Sequence, residues 1–241
     1  MGYIEHCSVK MTHFGPGIWL RIHPEMDLEI TGNKKKYQNL MNRNAFLCVA
    51  AALFFCGSLL SGSIPKDPPK RGRVTVSPNR TLNWEDFKQV EVIRGKSSIN
   101  AICLSTCEVE ILKVHTYPDH VQLEINAKIH LQKELSQVSQ DFLSRSDEAT
   151  KKQVLHHENG HFAIAQIIGY RIVRDVNGHA FDPNQYKTQL NGIIRENFKN
   201  WRRLDSQYDA QTTKPRDAEA QKRWDAFFTS ELLDLRQQIY P

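Results

Sequence analysis

Between His120 and Gln132 the chain alternates without a break. Val121, Leu123, Ile125, Ala127, Ile129 and Leu131 are apolar, and Gln122, Glu124, Asn126, Lys128, His130 and Gln132 are polar. A period of two over a dozen residues predicts a long half-exposed strand, because successive side chains point to opposite faces. Glu108 to His115 reads as its partner, joined through a hairpin loop at Thr116-Tyr-Pro-Asp119, and Arg73 to Ser77 reads as a shorter strand. On the polar face, His120 and His130 are expected to meet solvent, as is His115. From Ser146 the period lengthens. Ser146, Asp147 and Glu148 form a helix-start signal, and Leu155, Phe162, Ile164, Ile167, Ile168, Ile172 and Val173 occupy more than one helical face. This predicts a largely buried helix of about 25 residues ending near Asn177-Gly178. Two more helices are predicted, from about Pro183 to Leu204 and from Ala218 to Gln238. The fold class is α+β, with antiparallel strands followed by a helical half.

The run Ala45 to Leu60 (AFLCVAAALFFCGSLL) is apolar on every face, and no charge falls between Asn44 and Pro65. Lys34, Lys35, Lys36 and Arg43 precede it, and Ser58, Ser61, Gly62 and Ser63 close it. This is the layout of a secretory signal, with cleavage permitted before Ile64. Retained, it would be a short membrane anchor, since a full span takes about 20 residues. Residues 41–63 are therefore read as a signal peptide or short membrane anchor. Residues 1–40 read as an extension upstream of a start at Met41. Residues 64–73 (IPKDPPKRGR) form a basic, proline-rich linker, and 74–241 the working domain. That domain is expected to be secreted or periplasmic, touching the membrane only through residues 45–60 if they are kept.

Charge sharpens this division. Of the 241 residues, 32 are Lys or Arg and 27 Asp or Glu, a net +5. From Val74 to Pro241 there are 22 of each sign, so the domain is neutral and the excess sits before it. A nucleic-acid binder carries its positive charge on the folded surface, so that class is excluded. Two cysteines, Cys103 and Cys107, fall in the domain. On one strand they lie too far apart for a bridge, and a turn between them would close the gap; the simpler reading is two small half-buried side chains.

Three of the ten histidines fall within six residues, in His156-His157-Glu158-Asn159-Gly160-His161. His157, Glu158 and His161 spell HExxH inside the strongest predicted helix. Residues four apart stack one turn above each other, so the two imidazoles can face one metal ion. Glu158 then reaches the side where a zinc-activated water sits, and serves as general base and afterwards as general acid. Two histidines, a third ligand and an open position define a catalytic zinc site. His156 points about 100° away from His157 and reads as a neighbour of the site. Asn159-Gly160 reads as a place where another element packs close.

Four blocks in this order resemble a bacterial family of predicted secreted zinc proteases, catalogued as domain of unknown function 922. They are Leu82-Asn-Trp-Glu-Asp-Phe, HENGHFAIA at 157–165, Tyr208-Asp-Ala-Gln-Thr212 and Gln221-Lys-Arg-Trp224. The resemblance spans about Leu82 to Leu235. It implies a zincin-like, Zn2+-dependent metallopeptidase acting on a peptide or protein substrate. Where members tend to read Tyr-Asp-x-Glu-Thr followed by His-Gly, this chain has Gln211, Thr212, Thr213, Lys214 and Pro215. The third ligand is expected to be Asp209, placed just past a helix, with Glu196 as the alternative. Tyr208 is expected either to polarise an oxyanion or to pack, and Trp84 and Trp224 to lie in the core. The long strand is expected to offer an edge to an extended peptide. The substitutions at Gln211 and Lys214 favour a rival of another class, a non-catalytic envelope binding protein with a metal-stabilised or degenerate zincin fold.

Overall fold

The computed structural model describes residues 8–12, 72–94, 98–212 and 217–241. The expected signal or anchor at 41–63, the linker up to residue 71, and the 1–40 extension apart from 8–12 lie outside the described residues. The elements run β1 (Ser8–Thr12), β2 (Arg73–Ser77), a 3-10 turn (Trp84–Asp86), β3 (Lys88–Val90), β4 (Ala101–Ile102), β5 (Ser105–Thr116), β6 (Val121–Leu131) and β7 (Gln137–Ser139). Four helices follow: α1 (Gln140–Arg145), α2 (Glu148–Asn177), α3 (Tyr186–Thr212) and α4 (Ala218–Ile239). The chain is α+β, strands first. Among the described residues no helix is long and apolar enough to cross a membrane.

The alternating segment is β6, and its apolar residues from Val121 to Ile129 are buried as the period requires. It pairs antiparallel with β5 over the full hairpin. The order of the larger sheet is β1-β5-β6-β2, and of the smaller one β3-β7-β4. Both are mixed, not purely antiparallel: β2 runs parallel to β6, and β3 parallel to β7. A tight turn forces antiparallel pairing only on strands it joins, and the chain between β2 and β6 is long enough to cross over. Ser8–Thr12 pairs with β5, although five residues gave no period to read. β6 lies between β5 and β2, with Val121 also bridged to Phe181. The expectation that this strand offers a free edge is therefore corrected: both of its sides are taken.

α2 is longer than the pattern suggested, because Asp147 caps it at one end and Gly178 ends it only at the other. Ser146 instead closes α1, and the Asp147 carboxylate accepts from the Thr150 amide at 2.7 Å. The helix is apolar on several faces because it is packed on several sides. One side lies on the larger sheet, so closely that a Cβ on Gly169 would come within 2.7 Å of Ile129 Cδ1. α3 and α4 pack elsewhere along it. It carries the HExxH residues as the central element of the core.

α3 departs from its predicted end at Leu204 and continues to Thr212. Its inward stripe runs Ile194, Phe198, Trp201, Leu204, Asp205, Tyr208 and Thr212, all buried. Past Leu204 the stripe turns polar, so hydrophobic periodicity stops marking a helix that persists. Cys103 and Cys107 are free thiols, Cys107 inside β5 and Cys103 before it. Burial raises the Cys107 thiol to about 12.

Candidate metal centre

α2 and α3 face each other at His157, His161 and Asp209, which form a group able to hold a metal ion. His157 Nε2 and His161 Nε2 stand 3.2 Å apart, and Asp209 Oδ1 lies 3.3 Å from the first and 3.2 Å from the second. Asp209 is not beyond a helix, as expected, but inside the last turn of α3. Glu196, the alternative ligand, is outside the group; it is exposed and lies 3.5 Å from Lys199.

Two partners fix the imidazoles. Asp205 Oδ1 lies 2.7 Å from His161 Nδ1. Thr212 Oγ1 donates to the Tyr208 carbonyl at 2.6 Å and stands 3.1 Å from His157 Nδ1. Its one proton is spent, so it can only accept from His157. Each Nδ1 therefore carries hydrogen towards an acceptor, and each Nε2 turns its lone pair towards Asp209. With both imidazoles neutral, three acceptors would converge with no donor among them, so the cluster demands positive charge. Burial opposes a charged His161, yet Asp205 and Asp209 outweigh it and hold its pKa well above the usual value. Asp209 responds in the opposite sense: burial opposes its charge, but the two histidines hold it well below the usual carboxylate range. A metal ion answers the same demand.

Glu158 lies on α2 between these ligands, only 5% exposed. Its Oε2 has no hydrogen-bond partner among the described residues. Burial raises its pKa, against the pull of His161, His157 and the Cys103 amide. The carboxylate opens on a cleft of about 1060 Å³ whose lining includes His157, His161, Asp209, Cys103 and Arg202. One wall is β4, an edge strand of the smaller sheet. His156 lines the cleft too, paired with Asp225 at 2.9 Å and outside the metal group, as the helix geometry predicted.

Tyr208, expected either to polarise an oxyanion or to pack, is packed. It is fully buried, and its hydroxyl donates towards the His157 carbonyl at 3.0 Å and Gln221 Oε1 at 3.1 Å. Its ring stacks on His157 at 4.8 Å and meets Trp224 edge-on at 5.3 Å. Burial pushes the phenol above its normal pKa. The side chain is a support behind the ligand. Gly160 makes room for it, since a Cβ there would overlap the Tyr208 hydroxyl.

The remaining blocks meet the same helix. Asn159 Oδ1 accepts from the Leu82 amide at 2.8 Å, and its Nδ2 donates to the Leu82 and Leu155 carbonyls at 3.2 and 2.8 Å. Trp84 packs edge-on to Phe87 and Phe142, at the margin of the core like Trp224. Sequence reasoning missed Asp205 and Thr212. Their spacing of four before and three after Asp209 was the available signal, hidden by ending α3 at Leu204.

Residues 113–216 match the family model described as a bacterial protein of unknown function, DUF922. The matched segment holds His157, Glu158, His161 and Asp209 and is narrower than the Leu82–Leu235 span of the resemblance. No curated protein and no solved structure matches it.

Proposed function

We propose that this chain, similar to the DUF922 family over residues 113–216, is an exported, zincin-like zinc metallopeptidase. The observation that carries the reading is the triangle of His157 Nε2, His161 Nε2 and Asp209 Oδ1 beside a buried carboxylate. Donors about 2.0–2.1 Å from a tetrahedral zinc stand roughly 3.3 Å apart, and the three atoms here are separated by 3.2–3.3 Å. Two nitrogens and one oxygen suit zinc and leave its fourth position free. Zinc held there would supply Lewis acidity towards a substrate carbonyl and bring a water molecule's pKa near neutrality.

The chain's own groups do the rest. Glu158 takes the proton of the attacking water and returns it to the leaving amine, for which its raised pKa suits it. Asp205 and Thr212 keep both imidazoles in the ligating tautomer. The edge of β4 gives an extended peptide a main chain to pair with, the part once assigned to the long strand. The export reading rests on the apolar leader and the neutrality of the domain behind it.

Glu158→Gln tests the proposal. The variant should keep about one zinc per chain while hydrolysis of an unstructured protein substrate falls at least 100-fold. Equal activity in both proteins, or less than about 0.2 zinc per wild-type chain, would leave the rival binding role standing.

A further inference from the structure

The cleft holds a charged group that the metal centre does not use. Arg202 is half-buried and lines the cleft, and its guanidinium makes no hydrogen bond or ion pair with any described residue. Asp205, one turn further along α3, is committed to His161 at 2.7 Å. Among the described residues, the other lysine or arginine lining the cleft is Lys222, exposed and held by Glu219 at 2.7 Å.

We propose that Arg202 forms a carboxylate-binding subsite, so that the preferred substrate carries a carboxylate about three residues from the bond attacked. The inference rests on the peptidase reading above. Arg202 precedes Asp209 by seven residues, two turns on the same face of α3, which is about 10 Å along the helix. An extended peptide covers that distance in about three residues. A guanidinium fork matches a carboxylate in two parallel hydrogen bonds. The cleft is also lined by Asp205, Asp209, Asp217 and Asp225, which repel a dianion more than a monoanion. That favours a carboxylate over a phosphate.

The test uses the zinc-loaded full chain and matched peptides bearing Glu, Gln or Lys at each of three positions on either side of the cleaved bond. A further pair ends in a free or an amidated carboxyl, separating an acidic side chain from a chain terminus. Wild type should favour one acidic position, or the free terminus, by about 10- to 100-fold in kcat/KM. Arg202→Gln should abolish the preference, and Arg202→Glu should turn it towards Lys. A preference that survives Arg202→Gln overturns the subsite while leaving the peptidase intact. Fluorescence anisotropy on Glu158→Gln, with and without Arg202→Gln, reads binding of the same labelled peptides without turnover. Tighter binding of the acidic peptide that Arg202→Gln removes supports the subsite even if no peptide is cleaved, and in that case the peptidase reading alone falls. Equal binding of acidic and neutral peptides, or none, overturns the subsite.

Discussion

Thr212 gives its hydroxyl proton to the Tyr208 carbonyl and therefore can only accept from His157 Nδ1. A threonine at the end of one helix thus sets the tautomer of a histidine in the middle of another. Asp205 does the same for His161 with a full charge.

Removing either acceptor should loosen the metal without touching a ligand. Asp205→Asn and Thr212→Val are each expected to weaken zinc binding by about 10- to 100-fold, with Asp205→Asn the worse. Competition with a chromophoric chelator measures this. Glu196→Gln, outside the group, should bind zinc as wild type does. Unchanged affinity in Asp205→Asn would mean that His161 is oriented by packing alone.

Tyr208→Phe separates support from catalysis. The ring stack on His157 survives, while the bonds to the His157 carbonyl and Gln221 are lost. Stability should fall by about 1–2 kcal/mol, and turnover by less than 10-fold. Loss of an oxyanion donor would cost 100-fold or more at unchanged zinc content, and that result would restore the catalytic role. Chemical denaturation and steady-state kinetics on one preparation decide it.

Gly160→Ala should strike the same contact from the other side. The added methyl has no rotamer with which to avoid Tyr208, and Tyr208 is held by His157, Trp224 and Phe228. A loss of about 1–3 kcal/mol is expected, with weaker zinc binding because α3 must back away from α2. A melting temperature equal to wild type would show that the helices yield freely.

Much of this was legible in the sequence, and the reason it stopped is specific. β6 and α2 announce themselves because a single buried face, or burial on several sides, writes a regular apolar period. β3, β4 and β7, of two or three residues each, are too short to have one. α3 was cut at Leu204 because its buried face changes from Phe198, Trp201 and Leu204 to Asp205, Tyr208 and Thr212. Hydrophobic patterning fails where the face becomes functional. HExxH itself was visible because both ligands and the carboxylate lie within one and a half turns. Partners brought in by tertiary contact, Asp205 and Thr212 above all, leave no local mark.

The block from Leu82 to Phe87 allows a test away from the metal. Asp86 accepts from both Arg80 nitrogens at 2.7 Å and from the Asn83 amide at 2.9 Å, and the Arg80 bond, the leading cause, lowers its pKa below 3.8. A carboxylate depressed in the folded state stabilises above its unfolded pKa. That stabilisation fades as pH falls through the folded value. Asp86→Asn should therefore cost about 1–2 kcal/mol at pH 7, a figure kept small because half of the Arg80 side chain is in water. The gap to wild type should narrow only once the pH drops below 3.8. Urea titrations at pH 7 and pH 3 measure it; a gap that stays constant would assign the effect to packing.

Arg202, Asp205, Tyr208, Asp209 and Thr212 all ride on one uninterrupted helix. None can be readjusted alone. Deleting a single residue from α3 upstream of Arg202 would rotate all five by about 100° and carry them about 1.5 Å along the axis, leaving each residue's identity intact and the site gone. For this half of the centre, what must be inherited is helical phase as much as side-chain chemistry. Loop insertions elsewhere are therefore tolerable in a way that no change of length between Tyr186 and Thr212 can be.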